Sequence, residues 1–142
     1  MIAKPREAYC AYRISPNDTN RLVLVFDPIG EAANFVFAVE IFDVGGRTPP
    51  NTHPRAQEMF YVLEGEGIAH CSGKSVALRR GDSLLLPPGT EHQIENTGRG
   101  RLYCLTFMTP NDDFAELIRA GTPAAIDEED WAVLLGRSPL SH

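Results

Sequence analysis

The feature that most restricts the fold of this chain is a rhythm. Between residues 34 and 110, runs rich in Val, Ile, Leu and Phe are cut roughly every eight to twelve residues by Gly, Pro or Asn. Short, evenly punctuated strands of this kind predict an antiparallel sandwich or barrel. The run NFVFAVEIFDV puts Phe35, Phe37, Val39 and Ile41 on one face and Val36, Ala38, Glu40 and Phe42 on the other. Apolar residues on both faces mark a strand covered on both sides. Gly45-Gly46 ends it, and a new alternation begins at Glu58, with Phe60, Val62 and Glu64 opposed to Met59, Tyr61 and Leu63. GEG at 65–67 turns the chain, GIAHC and SVALRR form a hairpin about residues 72–74, and Gly81-Asp82 turns again. LLL then runs to Pro87-Pro88-Gly89, HQIEN makes a short strand, and RLYCLTFMTP is the last.

The ends differ. Residues 1–20 carry few periodic apolar positions, SPNDTN is turn chemistry, and RLVLVFDP reads as a strand stopped by Asp27-Pro28. Beyond residue 110 the period becomes helical. Asn111 or Asp112 can cap a helix striped by Phe114, Leu117 and Ile118, and Gly121 can stop it. Asp127 can cap a second, striped by Trp131, Leu134 and Leu135. Both stripes are expected to pack on the barrel. The expected layout is one domain over 1–142: N-terminal strands over 1–33, a barrel core over about 34–110, and a helical tail over 111–142.

Composition narrows the functional classes. Thirteen basic against nineteen acidic residues give a net charge of −6, which argues against a nucleic-acid partner. No apolar run is long enough to span a membrane, and the N-terminus lacks a signal-like stretch, so a cytoplasmic location is expected. Cys10, Cys71 and Cys104 show no metal-binding spacing and read as idle or buried thiols. His70-Cys71 is no catalytic dyad, because neighbours on a strand point to opposite faces.

Chemistry concentrates in two segments, GGRTPPNTHPRAQEMFYVLEG and GDSLLLPPGTEHQIEN. Asn51 and His53 are two apart and would project together, Glu58 begins the next strand, and His92 can face them from across a barrel. His53, Glu58 and His92 would form the two-histidine, one-carboxylate face that suits non-haem Fe(II); Mn, Zn or Ni would fit the same donors. Phe60, Val62 and Ile94 share the parity of these residues and are core first, a cavity wall second. Met59, Tyr61 and Leu63 face outward, where a patch of this kind is usually covered, so a homodimer is expected. Tyr61, Tyr103 and His70 are the titratable candidates for a general base, and none stands out.

The two segments resemble the paired motifs of the cupin family. Gly45, five residues, Asn51-Thr52-His53, four residues, Glu58, six residues and Gly65 is similar to the first motif. Gly81, five residues, Pro87-Pro88-Gly89, two residues, His92, three residues and Asn96 is similar to the second, and the fifteen residues between, 66–80, match a short intermotif spacing. The resemblance implies an all-β double-stranded β-helix, or jelly-roll barrel, over about residues 34–110. It also implies a divalent metal held by His53, Glu58 and His92. The family's usual first histidine is replaced by Asn51, which leaves three readings: a three-ligand site, Asn51 as a fourth and weaker ligand, or a barrel without metal. Asn51 can equally serve a turn beside Pro50 by hydrogen-bonding its own backbone.

Three functional classes follow. One is a metal-dependent enzyme acting on a small metabolite, with a dioxygenase foremost and an isomerase, epimerase or decarboxylase also compatible. Another is a non-catalytic module binding a sugar or acid, and a third is a structural or storage protein. The fold alone does not name a substrate.

Overall fold

The computed structural model describes residues 1–137 and arranges them as two antiparallel sheets facing each other. Ten strands are formed: β1 (Cys10–Arg13), β2 (Asn20–Phe26), β3 (Val36–Phe42), β4 (Gln57–Glu64), β5 (Glu66–Cys71), β6 (Lys74–Arg79), β7 (Ser83–Leu86), β8 (His92–Asn96), β9 (Leu102–Thr109) and β10 (Thr122–Ala124). The large sheet runs β10-β1-β2-β3-β9-β4-β7 and the small one β6-β5-β8. A 3₁₀ turn at Arg6–Ala8 and three short α-helices, α1 (Pro28–Glu31), α2 (Phe114–Arg119) and α3 (Glu128–Leu134), complete the described elements.

The period-two reading of residues 34–44 is realised on both faces of β3. Val36, Ala38 and Phe42 enter the barrel interior, while Val39 and Ile41 join an outer layer with Val23, Val25 and Tyr103. That outer layer is covered by Val133 and Leu134 of α3 and by Ile126. On β4, Phe60 and Val62 are buried, whereas Met59 and Tyr61 are exposed on the outer surface together with Leu85. Gly65 turns β4 into β5 at φ +98°, and a Cβ there would collide with the Arg101 carbonyl, so the turn requires glycine on two counts.

β1 and β2 lie within the N-terminal stretch expected to form strands, but the tail departs from expectation: it contains β10, which pairs with β1 (Ala11↔Ala124, Arg13↔Thr122). The tail is therefore a helix, an edge strand and a second helix, wrapped back onto the N-terminal edge of the large sheet. The N-cap position of α2 falls on Asp113 and not on Asn111 or Asp112; Asn111 Oδ1 still accepts from Ala115 N at 2.8 Å from just outside the helix, while the Asp112 carboxylate turns away to accept from Arg55 N at 2.8 Å. Asp127 caps α3 reciprocally with Asp130, as a capping box. Of the expected α2 stripe, Ile118 is buried and Phe114 packs on the core, but Leu117 is exposed. On α3, Trp131 stacks on Tyr9 with ring centroids 6.2 Å apart. Residues 138–142 of the expected helical tail lie outside the described residues.

α3 is fastened to the sheet by one buried carboxylate. Asp130 accepts from Arg21 Nη1 at 2.7 Å, Arg101 Nη1 at 2.9 Å and the Tyr103 hydroxyl at 2.8 Å. Burial alone would raise the pKa of Asp130, but these donors, Arg21 first, outweigh it and hold the carboxyl below its ordinary value.

Candidate metal centre

The two chemistry-bearing segments are stitched together backbone to backbone before their side chains meet. Asn51 and His92 form an isolated antiparallel bridge. Two residues on, Gly89 N donates to His53 O at 2.8 Å, in a turn where Gly89 holds φ +76°. Thr48 N donates to Ile94 O at 2.9 Å, and Thr48 Oγ1 accepts from Ile94 N at 3.0 Å. This ladder fixes His53 and His92 side by side on the barrel wall. Glu58, at the inward-facing start of β4, meets them from the large sheet.

The result is a tight triad. Glu58 Oε1 lies 3.3 Å from His53 Nε2 and 3.0 Å from His92 Nε2, and one donor atom from each of the three residues falls within 4.8 Å of the others. His92 and Glu58 are buried and His53 nearly so. His92 Nδ1 is 3.1 Å from the Thr90 carbonyl, which can only accept, so Nδ1 carries a proton and donates. In the neutral ring Nε2 is then a lone pair facing a carboxylate oxygen. Glu58 Oε1 itself is buried without a hydrogen bond of good geometry. Two acceptors 3.0 Å apart repel unless a cation lies against both, either a proton or a metal ion.

The donors fit a metal. A contact of about 3.0–3.4 Å between ligand atoms is what bonds of about 2.1 Å give at neighbouring octahedral or tetrahedral positions. The Thr90 carbonyl behind His92 supplies the outer hydrogen bond that orients a ligating imidazole. Titration reflects the same geometry. Burial would raise the pKa of Glu58, but His53 and His92 beside it outweigh burial and move it down. Burial would lower that of His92, but Glu58 outweighs it and moves it up.

Asn51 lines the same cavity, and its Nδ2 donates to the Pro49 carbonyl at 3.0 Å. The local turn bond foreseen for this residue is therefore present, and it leaves Oδ1 as the atom able to serve a ligand.

The cavity holding the triad has a volume of about 170 Å³. Leu22, Phe60 and Ile94 form walls, and Phe114 of α2 sets its ring edge-on to His53, with centroids 5.4 Å apart. Ile14, Ser15 and Leu117 contribute from the chain ends. A larger cleft of about 870 Å³ lies elsewhere, between Tyr9, Trp131 and Arg137, and holds none of the triad.

None of the general-base candidates read from sequence lines the triad's cavity. Tyr61 is exposed on the outer face, Tyr103 is buried against Asp130, and His70 pairs with Ser75 at 2.7 Å on an exposed hairpin. Outside the triad the titratable groups that do line it are Asp18 and Glu40, the latter buried on β3 and bonded by Asn20 Nδ2 at 2.6 Å. A signal for it was available: Glu40 is the one charged residue in an otherwise apolar strand buried on both faces. The thiols form no site: Cys10 is exposed, Cys71 half-buried, and Cys104 buried, its pKa pushed up by burial.

Fold and site together define a small barrel with a His-Glu-His cluster able to hold a metal ion, and the family model for the cupin domain matches residues 38–108. The chain belongs to the cupin family. Among curated proteins it is 34% identical over 73 residues to an uncharacterized protein of Methanocaldococcus jannaschii, covering 51% of this chain and 58% of that one. It is 44% identical over 56 residues to the oxalate-binding protein of Thermotoga maritima, covering 39% and 46%. The chain thus spans about half the length of these curated relatives. Among solved structures, a predicted oxalate decarboxylase of Thermotoga maritima superposes with a TM-score of 0.68 at 25% identity, over 77% of this chain and 99% of that one. An oxalate oxidase superposes at 0.63 with 22% identity, over 78% and 60%, and shares the fold.

Proposed function

We propose that this protein binds a divalent transition metal through His53, Glu58 and His92 and uses it to hold and transform a small carboxylic acid. One observation carries the reading: the Nε2 lone pair of His92 and a buried Glu58 oxygen face each other at 3.0 Å, an arrangement that calls for a cation. Two histidines and one carboxylate suit iron or manganese, with zinc and nickel also accommodated. When bound, the metal supplies a Lewis acid able to polarise a substrate oxygen.

The chain's own residues do the rest. Glu58 brings negative charge into a buried site, Thr90 fixes the tautomer of His92, and Phe114, Phe60 and Ile94 exclude water from the reacting end. The acid-binding reading draws on the names of the relatives, an oxalate-binding protein and a predicted oxalate decarboxylase. Within this reading, oxidation by dioxygen and decarboxylation are the reaction types best suited to such a site. The alternative, a binding module without turnover, is favoured by Asn51, whose amide stands where the family's usual first histidine would be. The exposed Met59, Tyr61 and Leu85 support a homodimer.

Elemental analysis tests the metal claim. Protein purified without chelator, or reloaded with Fe(II), Mn(II), Zn(II) or Ni(II), should hold close to one ion per chain. The Glu58→Ala and His92→Ala variants should stay folded and hold almost none. Oxygen uptake and CO2 release with small carboxylic acids then separate oxidation, decarboxylation and binding alone.

A further inference from the structure

Glu40 is a buried carboxyl that nothing in the metal centre uses. It sits on the inward face of β3, is 4% exposed, and lines the same cavity as the triad. One oxygen accepts from Asn20 Nδ2 at 2.6 Å; among the described residues no protein group hydrogen-bonds the other. Neither His53, Glu58 nor His92 hydrogen-bonds or ion-pairs with it. The Asn20 Oδ1 beside it is buried without a partner. A buried polar atom left unsatisfied costs about 1–3 kcal/mol, so Asn20 Oδ1 and the free Glu40 oxygen beside it, close to the apolar Leu22, Phe60 and Ile94 of the same wall, suit an occupant that bonds to them.

We propose that Glu40, held by Asn20, is the second recognition group of this cavity: it donates a hydrogen bond to the C2 oxygen of a small 2-oxygenated carboxylate whose carboxyl end lies at the triad. This deepens the metal-and-acid reading above and rests on it. Size agrees, since about 170 Å³ is roughly five or six water volumes, enough for a molecule of a few heavy atoms. Charge agrees as well. Burial, and secondarily the Glu58 carboxylate, push the Glu40 carboxyl up to about 8, against the opposing pull of Asn20 and His92. Asp18, at the cavity mouth, acts in the same direction as Glu58. A divalent ion, the Glu58 carboxylate and a bound monocarboxylate sum to zero formal charge, so the loaded site adds no net charge beside Glu40. A neutral carboxyl donates where a carboxylate would repel the ligand's oxygens.

The probes are glycolate, which has the C2 oxygen, and propionate, which lacks it, titrated calorimetrically into metal-loaded protein. Wild type should bind glycolate at least about tenfold more tightly than propionate. Glu40→Gln, whose amide also donates, should keep that preference; Glu40→Met, similar in volume but apolar, should erase it. Metal content should match wild type in both variants. Equal affinity of wild type for the two probes, or a preference that survives Glu40→Met, overturns the proposal. So does its loss in Glu40→Gln while metal content and circular dichroism match wild type. Failure of wild type to load metal would instead strike the metal reading, and that failure is seen by elemental analysis before any probe is added.

Discussion

Asn51 and His92 are joined twice through their backbones: Asn51 N donates to His92 O at 3.0 Å and His92 N to Asn51 O at 2.9 Å. A residue in the first motif and a residue in the second, far apart in the chain, are thereby placed opposite each other on the cavity wall. The bridge is made by main-chain atoms and does not need the asparagine side chain, so a residue such as histidine can stand at 51 without removing the bonds that position His92.

Asn51→His should therefore add a donor to a site that is otherwise preassembled. Imidazole is a stronger ligand than an amide oxygen for transition metals. Affinity for Zn(II) or Ni(II), measured by chelator competition, is expected to rise at least about tenfold, or about 1.4 kcal/mol. Unchanged affinity would mean that the side chain at 51 does not reach the ion.

Protons compete with the metal at His92. Its pKa is raised because Glu58 stabilises the imidazolium more than burial opposes it, so the competing proton binds more tightly than to an ordinary imidazole. Metal affinity should fall as pH falls, by about tenfold per unit once below that raised value. In the metal-free protein the raised His92 contributes stability that is present below about pH 6.5 and lost as pH rises through its folded value. The depressed Glu58 contributes stability present above the ordinary carboxylate range and lost as pH falls through its folded value. Titration calorimetry with Zn(II) from about pH 5.5 to 8 checks the first expectation, and a pH-independent affinity would contradict it.

Asp130 should matter for stability and not for metal. Removing it with Asp130→Ala leaves Arg21 buried without its carboxylate, a change that typically costs about 3–5 kcal/mol. Because the Asp130 pKa is depressed, its contribution is present above about pH 4 and lost as pH falls through the folded value. Denaturant unfolding should show the loss, while metal content of the folded variant stays at the wild-type level. A variant as stable as wild type would show that Val133, Leu134 and the Trp131–Tyr9 stack suffice to hold α3.

Much of this was legible in the chain before folding was considered, and the reasons are physical. Val36, Ala38 and Phe42 against Val39 and Ile41 declare a strand buried on two faces, because a period of two sorts side chains without help from tertiary context. His53, Glu58 and His92 were legible because turn glycines and prolines at fixed offsets locate each on its strand; Gly89 and His53 share a hydrogen bond in the folded chain. β1 and β10 were not, since edge segments of four and three residues carry too few periods to stand out, and their pairing is decided by contact with each other. Leu117 lies on the expected apolar stripe yet turns to the cavity mouth, a choice made by how α2 docks rather than by its sequence. Glu40 was visible as a charge in an apolar strand, but only the closed barrel shows that its free oxygen shares a cavity with the triad.

The central claim is a shared cation among three side chains, and anomalous diffraction from crystals grown with Mn(II) or Zn(II) tests it directly. A single strong peak is expected within about 2.0–2.3 Å of Nε2 of His53, Nε2 of His92 and the Glu58 carboxylate, and it should vanish in His92→Ala crystals. A map with no peak at that point, or with the metal held elsewhere on the chain, would contradict it.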